Sequence, residues 1–164
     1  MLLRHAKSDW NGAAADDFDR PLAKRGRDAA KRMGAWMKQH KIVPERIVSS
    51  SAVRARETTL RLCDALGMDA ARVVYKDQLY LADVDELLAV MRDCPKEAKS
   101  VMLVGHNPGL EGLVNYLCGE DVPAAANGKL LPTAALARIT LADNWKNLKR
   151  KSGALIAITR PKEL

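Results

Sequence analysis

Aromatic residues make up only 4% of this 164-residue chain, too few to support a stacking platform for nucleic-acid bases. No zinc-finger or ribonucleoprotein-type pattern is present either. The cysteines, Cys63, Cys94 and Cys118, are odd in number, far apart and outside any CxxC spacing. That argues against a disulfide framework and against a zinc site, and leaves buried free thiols as the expectation. No apolar run is long enough to span a bilayer. The opening residues include Arg4, His5, Lys7 and Asp9, unlike the apolar core of a secretory leader. A cytoplasmic location is therefore expected. No internal repeat or low-complexity segment stands out.

With 48% hydrophobic and 29% charged residues, the composition is that of a folded domain rather than of a disordered or membrane chain. The length suits one well-buried core, so residues 1–164 are expected to form a single domain. A net charge of +7 fits an anionic partner such as nucleic acid, a membrane surface or a phosphorylated substrate, without choosing among them. The basic residues between Arg20 and Lys41, and Lys146, Lys149, Arg150 and Lys151, are best read as solvated surface charge. Nothing demands an oligomer, and a monomer is expected.

Strand and helix signals alternate. Met1–His5, Arg46–Ser50, Arg72–Tyr75, Ser100–Gly105, Ala135–Leu141 and Ala154–Thr159 read as strands. Leu22–His40, Ala52–Leu66, Asp83–Arg92 and Pro108–Leu117 read as helices, with Gly67 placed to end the second. Asp143–Ser152 reads as a polar turn region and Pro123–Thr133 as an irregular surface loop. This order predicts an α/β fold in three layers, a mostly parallel central sheet with helices on both faces. Ligands in such folds bind beyond the carboxyl ends of the strands.

Polar residues at those ends are therefore the informative ones. The first strand ends in Arg4-His5. The second ends in Ser49-Ser50 and turns into a helix carrying Arg54. The fourth runs into His106, Asn107 and Pro108, where Asn107 suits an N-cap and Pro108 the first helical position. If the strands are parallel neighbours, two arginines and two histidines converge with two helix N-termini on one edge. Guanidinium forks and free backbone N–H groups together describe a phosphate pocket. A neutral imidazole within it can attack phosphorus, and a protonated one can donate to phosphoryl oxygens. Taken singly, each of these residues has a plainer explanation. His40, at a helix C-terminus, fits a structural role by charge alone.

The same residues carry a resemblance. Arg4-His5-Ala6 is similar to the Arg-His-Gly triplet that ends the first strand in the histidine phosphatase superfamily, which includes the phosphoglycerate mutases. "RHAKSDWN" resembles the longer opening of that family. "SSSAVRARETT" (Ser49–Thr59) resembles its second arginine segment, and "VMLVGHNPGLEGL" (Val101–Leu113) its second histidine segment. "DRPLAKRG" (Asp19–Gly26) and the short length look closest to the SixA-type phosphohistidine phosphatases. The resemblance implies a phosphoglycerate mutase-like fold and a phosphatase that works without a metal or cofactor. It implies attack by His5 to form a phosphohistidine intermediate, with Arg4, Arg54 and His106 holding the phosphoryl oxygens and a carbonyl near Ala6 fixing the His5 tautomer. Asn11, Arg20 and Asn107 are further substrate-binding candidates, Arg20 having Asp16, Asp17 or Asp19 as alternative surface partners.

Two departures from the family pattern matter. Ala6 replaces the usual glycine, so positive φ is not expected there. The general acid that larger members carry after the third strand has no clear counterpart, since Asp83 and Glu86 fit a helix-capping pattern. A protein phosphohistidine is the expected substrate. A small phosphoester metabolite is the alternative in the same chemistry, and a phosphate-binding module without turnover is the alternative of another class.

Overall fold

The structure, a computed structural model, describes residues 1–10, 14–119, 122, 128–141 and 144–164. Its strands are β1 (Leu2–Arg4), β2 (Arg46–Ser50), β3 (Val74–Lys76), β4 (Val101–Gly105), β5 (Leu136–Leu141) and β6 (Gly153–Thr159). Its α-helices are α1 (Lys24–Gln39), α2 (Val53–Leu66), α3 (Val84–Arg92) and α4 (Gly109–Cys118). The strands form one six-stranded sheet in the order β3-β2-β4-β1-β5-β6. The β3-β2, β2-β4 and β4-β1 pairs are parallel, and β5 and β6 add an antiparallel edge.

The layers follow from the two-residue period of the buried strands. Leu3, Ile47, Met102 and Val104 face one way and pack on Met33 and Met37 of α1 and on Ala55, Leu62 and Cys63 of α2. Leu2, Val48, Val101 and Leu103 face the other way, toward Leu87 and Leu88 of α3 and Leu110, Leu113 and Val114 of α4. Both faces of the parallel strands are therefore covered, which is why they read as continuous apolar runs. Every cysteine is a free thiol, with Cys63 and Cys94 buried and Cys118 partly so. No helix among the described residues is long and apolar enough to cross a membrane.

Two glycines show how local chemistry shapes the chain. Gly67 ends α2 in the left-handed conformation, φ 72°, as its position in the sequence suggests. Gly26, in "DRPLAKRG", sits so close to the first strand's exit that a Cβ would lie 2.1 Å from the Lys7 carbonyl oxygen. The motif thus packs the start of α1 directly behind the Arg4-His5 segment.

Element ends differ from the sequence expectations by one or two residues, the usual fraying of termini. Arg72 closes a short 3-10 turn, and β3 begins at Val74. The N-cap of α4 is Pro108, not Asn107, and it makes no side-chain capping bond. The Asn107 amide instead donates to the Leu131 carbonyl, 3.0 Å. The segment expected as a surface loop also differs. Leu130 and Leu131 are buried, Leu131 completely, while residues 123–127 lie outside those described.

Candidate functional site

Parallel register places the candidate residues together. Arg4 of β1 pairs with Gly105 of β4, and the His5 backbone N–H donates to the Gly105 carbonyl, 3.0 Å. His5 and His106 therefore leave adjacent strands side by side, with ring centroids 4.9 Å apart. Ser49 of β2 pairs with Val104 of β4, so the Ser50 turn into α2 brings Arg54 to the same edge. His5, Arg54 and His106 are 8%, 2% and 3% exposed, so this charge-bearing cluster is almost wholly withdrawn from water.

His5 Nδ1 lies 2.7 Å from the Ala6 carbonyl oxygen. A carbonyl only accepts, so Nδ1 carries the proton and Nε2 keeps its lone pair. Ala6 has no positive φ, and its N–H donates to Thr58 Oγ1 at 3.0 Å. Ala134, in the left-handed region at φ 61°, donates its N–H to both the Arg4 and His5 carbonyls. Strain at that residue is offset by fixing the backbone beneath the two side chains.

Arg4 Nη1 donates to the Leu131 carbonyl, 2.8 Å. The Leu131 N–H donates to Glu111 Oε1, also 2.8 Å. One buried backbone unit thus anchors Arg4, Asn107 and Glu111. Arg54 is held differently. Its Nη2 meets Asp17 Oδ2 at 2.8 Å, and its Nη1 donates to the Asp17 carbonyl oxygen. The Tyr80 hydroxyl donates to the same Oδ2, 2.8 Å, while Arg20 Nη2 pairs with Asp17 Oδ1 at 2.6 Å. Arg20 further donates to Ser8 Oγ and stacks 3.6 Å from the ring of the exposed Trp10. Arg20, its side chain 13% exposed, therefore has Asp17 as its partner, and that same carboxylate ties it to Arg54. Asn11 lies outside the described residues.

Charge states follow from this packing. Burial lowers the His5 pKa to about 3, helped by the nearby His106, Arg54 and Arg4 and opposed by the Ala6 carbonyl. Burial, then Arg54 and Arg4, bring His106 to about 3 against the pull of Asp17. Both rings are therefore neutral at physiological pH. Burial pushes the Asp17 carboxyl up, but hydrogen bonds from Tyr80 and Arg20 and the charge of Arg54 outweigh it and bring it to about 2. At α2 the first helical N–H, on Val53, is taken by the Phe18 carbonyl and is not open to a ligand.

Comparisons with known proteins bear on the family. A model of the histidine phosphatase superfamily (branch 1) matches residues 1–80. A crystal structure from Agrobacterium tumefaciens, assigned to the phosphohistidine phosphatase SixA, superposes with a TM-score of 0.81 at 34% identity, covering 98% of this chain and 96% of that one. The chain belongs to the histidine phosphatase superfamily. The phosphohistidine phosphatase SixA of Escherichia coli is 28% identical to this histidine phosphatase over 153 residues, 89% of this chain and 91% of that one. The structure of a protein histidine phosphatase SixA complexed with tungstate is similarly close, with a TM-score of 0.81 at 27% identity and coverages of 98% and 96%.

Three features of this histidine phosphatase escaped sequence reasoning: the Asp17 carboxylate, the Tyr80 hydroxyl and the Leu131 carbonyl. "ADDFD" offered several carboxylates with nothing to single one out. A backbone carbonyl leaves no sequence signal at all. Asp83 and Glu86, weighed as general acids, are joined in a reciprocal capping box at the start of α3.

Proposed function

We propose that this histidine phosphatase hydrolyses phosphohistidine on a protein through a covalent phospho-His5 intermediate. His5 Nε2 attacks the phosphorus in line, and the N–P bond to the substrate imidazole breaks with its electron pair going to that ring. The leaving imidazole departs neutral, keeping the proton that its other ring nitrogen already carried in the substrate. A water molecule then attacks phospho-His5, the Nε2–P bond breaks, and inorganic phosphate leaves. Arg4, Arg54 and His106 take the charge of the phosphoryl oxygens through both steps, which is mainly an electrostatic task. The chemistry as written draws on side chains and water alone.

The observation that carries this reading is the His5 Nδ1 bond to the Ala6 carbonyl, 2.7 Å. It leaves Nε2 as the nucleophilic nitrogen in a ring that burial keeps neutral. The choice of phosphohistidine over a phosphoester rests on the carboxylates. Asp83 and Glu86 are committed to their capping box, and Asp17, at about 2, is too acidic to hold a proton at neutral pH. An alkoxide needs such a proton to leave, whereas an imidazole does not depend on a protein acid.

Phosphate release from a phosphohistidine peptide, a phosphoserine peptide and a phosphoglycerate, with wild type and His5→Ala, tests the proposal. Release from the phosphohistidine peptide should exceed the other two, and His5→Ala should lower it by at least about 10³-fold. Preference for phosphoglycerate would transfer the reading to a metabolite phosphatase. Turnover retained by His5→Ala would end the covalent mechanism.

A further inference from the structure

His106 raises a problem that the phosphate-pocket reading leaves open. Phosphoryl oxygens at neutral pH are acceptors, so a residue that binds them must donate. His106 is neutral, and a neutral imidazole donates from only one of its nitrogens. Which one is decided by whatever the other nitrogen touches.

His106 Nε2 lies 2.9 Å from Ser50 Oγ, and Nδ1 is buried without a partner among the described residues. Ser50 is completely buried at the end of β2, and its Oγ accepts the Ala52 N–H at 3.3 Å. A hydroxyl has a single proton to give. Among the described residues the acceptor within reach of that proton is His106 Nε2. If Nε2 bore the hydrogen instead, Ser50 would accept two N–H groups and bury its own proton unpaired. The lone pair of Nδ1 would then be the only group His106 could offer an anion. Both faults vanish when Ser50 donates to Nε2.

We infer that Ser50 is a positioning residue that locks His106 in the Nδ1–H tautomer, making a neutral imidazole a hydrogen-bond donor to the phosphoryl group. Ser50 acts only through His106. Its neighbours in "SSS" do other work: Ser49 Oγ donates to the Ser50 carbonyl, and Ser51 Oγ to Asp77. The burial that holds the His106 pKa near 3 makes the tautomer, and not the imidazolium, its route to donation. This inference rests on the pocket binding phosphoryl groups, and does not depend on which phosphorylated substrate is hydrolysed.

Nitrogen-15 NMR of the wild-type chain at neutral pH reads the tautomer directly. Substitution of His5 and of His40 assigns the remaining imidazole as His106. The expected result is a pyrrole-type Nδ1 and a pyridine-type Nε2. Titration with inorganic phosphate should then show Ser50→Ala weakening the dissociation constant about tenfold, with Ser50→Thr restoring most of the loss. An Nε2–H tautomer in wild type would overturn the inference, as would unchanged phosphate affinity in a folded Ser50→Ala. Should Ser50→Ala not fold, the wild-type spectrum still decides. Absence of turnover on every phosphorylated substrate would remove the proposed function while leaving both readouts intact.

Discussion

Arg4 and Arg54 flank the same histidine pair but are restrained by opposite means. Arg4 is clipped by the Leu131 carbonyl, 127 residues away along the chain, and shares that anchor with Asn107. Arg54 is gripped by Asp17, a carboxylate whose side chain is 43% exposed and which also binds Arg20 and Tyr80. A backbone carbonyl cannot titrate and is lost only when the fold opens. A partly exposed carboxylate can be neutralised, replaced or out-competed by another anion. The Arg4 side of the pocket is thus a fixed floor and the Arg54 side an adjustable mouth.

The largest effect should come from the floor. Arg4→Lys keeps the charge but loses the planar fork and its grip on Leu131, and should lower kcat by about 10²-fold on a phosphohistidine peptide. Loss below about threefold would mean that Arg4 is held by Leu131 for stability alone.

Acid should separate the histidine pair from the mouth next. His5 and His106 have folded-state values of about 3 against a reference of 6.5. Between those limits the unfolded chain binds more protons than the folded one, so stability rises with pH across that window and falls on acidification. The loss is at most about 1.4 kcal/mol per histidine for each pH unit. Asp17, depressed from 3.8 to about 2, stabilises above its reference value and loses that contribution only as pH falls through about 2. The histidine pair should therefore destabilise the fold in mild acid while the mouth stays ionic. Urea midpoints at about pH 7.5 and pH 5 check this. A flat profile would contradict neutral, buried histidines, and His5→Asn should reduce the slope.

A smaller change is expected at the mouth. Asp17→Asn removes the competing charge beside Arg54 while leaving an amide oxygen for Tyr80. Inorganic phosphate should bind about threefold more tightly at low salt, and the gain should shrink as salt rises. Weaker binding would show instead that Asp17 positions Arg54 rather than competing for it. Smallest of all, Arg20→Ala should change stability by no more than about 0.5 kcal/mol, because its pair with Asp17 is partly exposed. A larger loss in thermal denaturation would make the stack on Trp10 structural.

The pocket side chains were largely legible in the sequence and their anchors were not. Arg4, His5 and His106 follow apolar runs that read as strands, and parallel pairing brings their ends together. Arg54 stands in the first turn of a helix that Gly67 visibly ends, and Asp83 with Glu86 reads as the capping box it is. Asp17 reaches Arg54 and Tyr80 across 37 and 63 residues, and no local pattern separates it from Asp16 or Asp19. Asn107 has the chemistry of an N-cap, yet the buried Leu131 carbonyl claims its amide. Such bonds are set by what the completed fold brings near, and local propensity carries no trace of them.

The most direct test is to trap the intermediate. A rapid acid-free quench of the enzyme with a phosphohistidine peptide, followed by mass spectrometry, should place one phosphate on His5, attached through Nε2. Phosphate on His106, or product release with His5 never modified, would contradict the account.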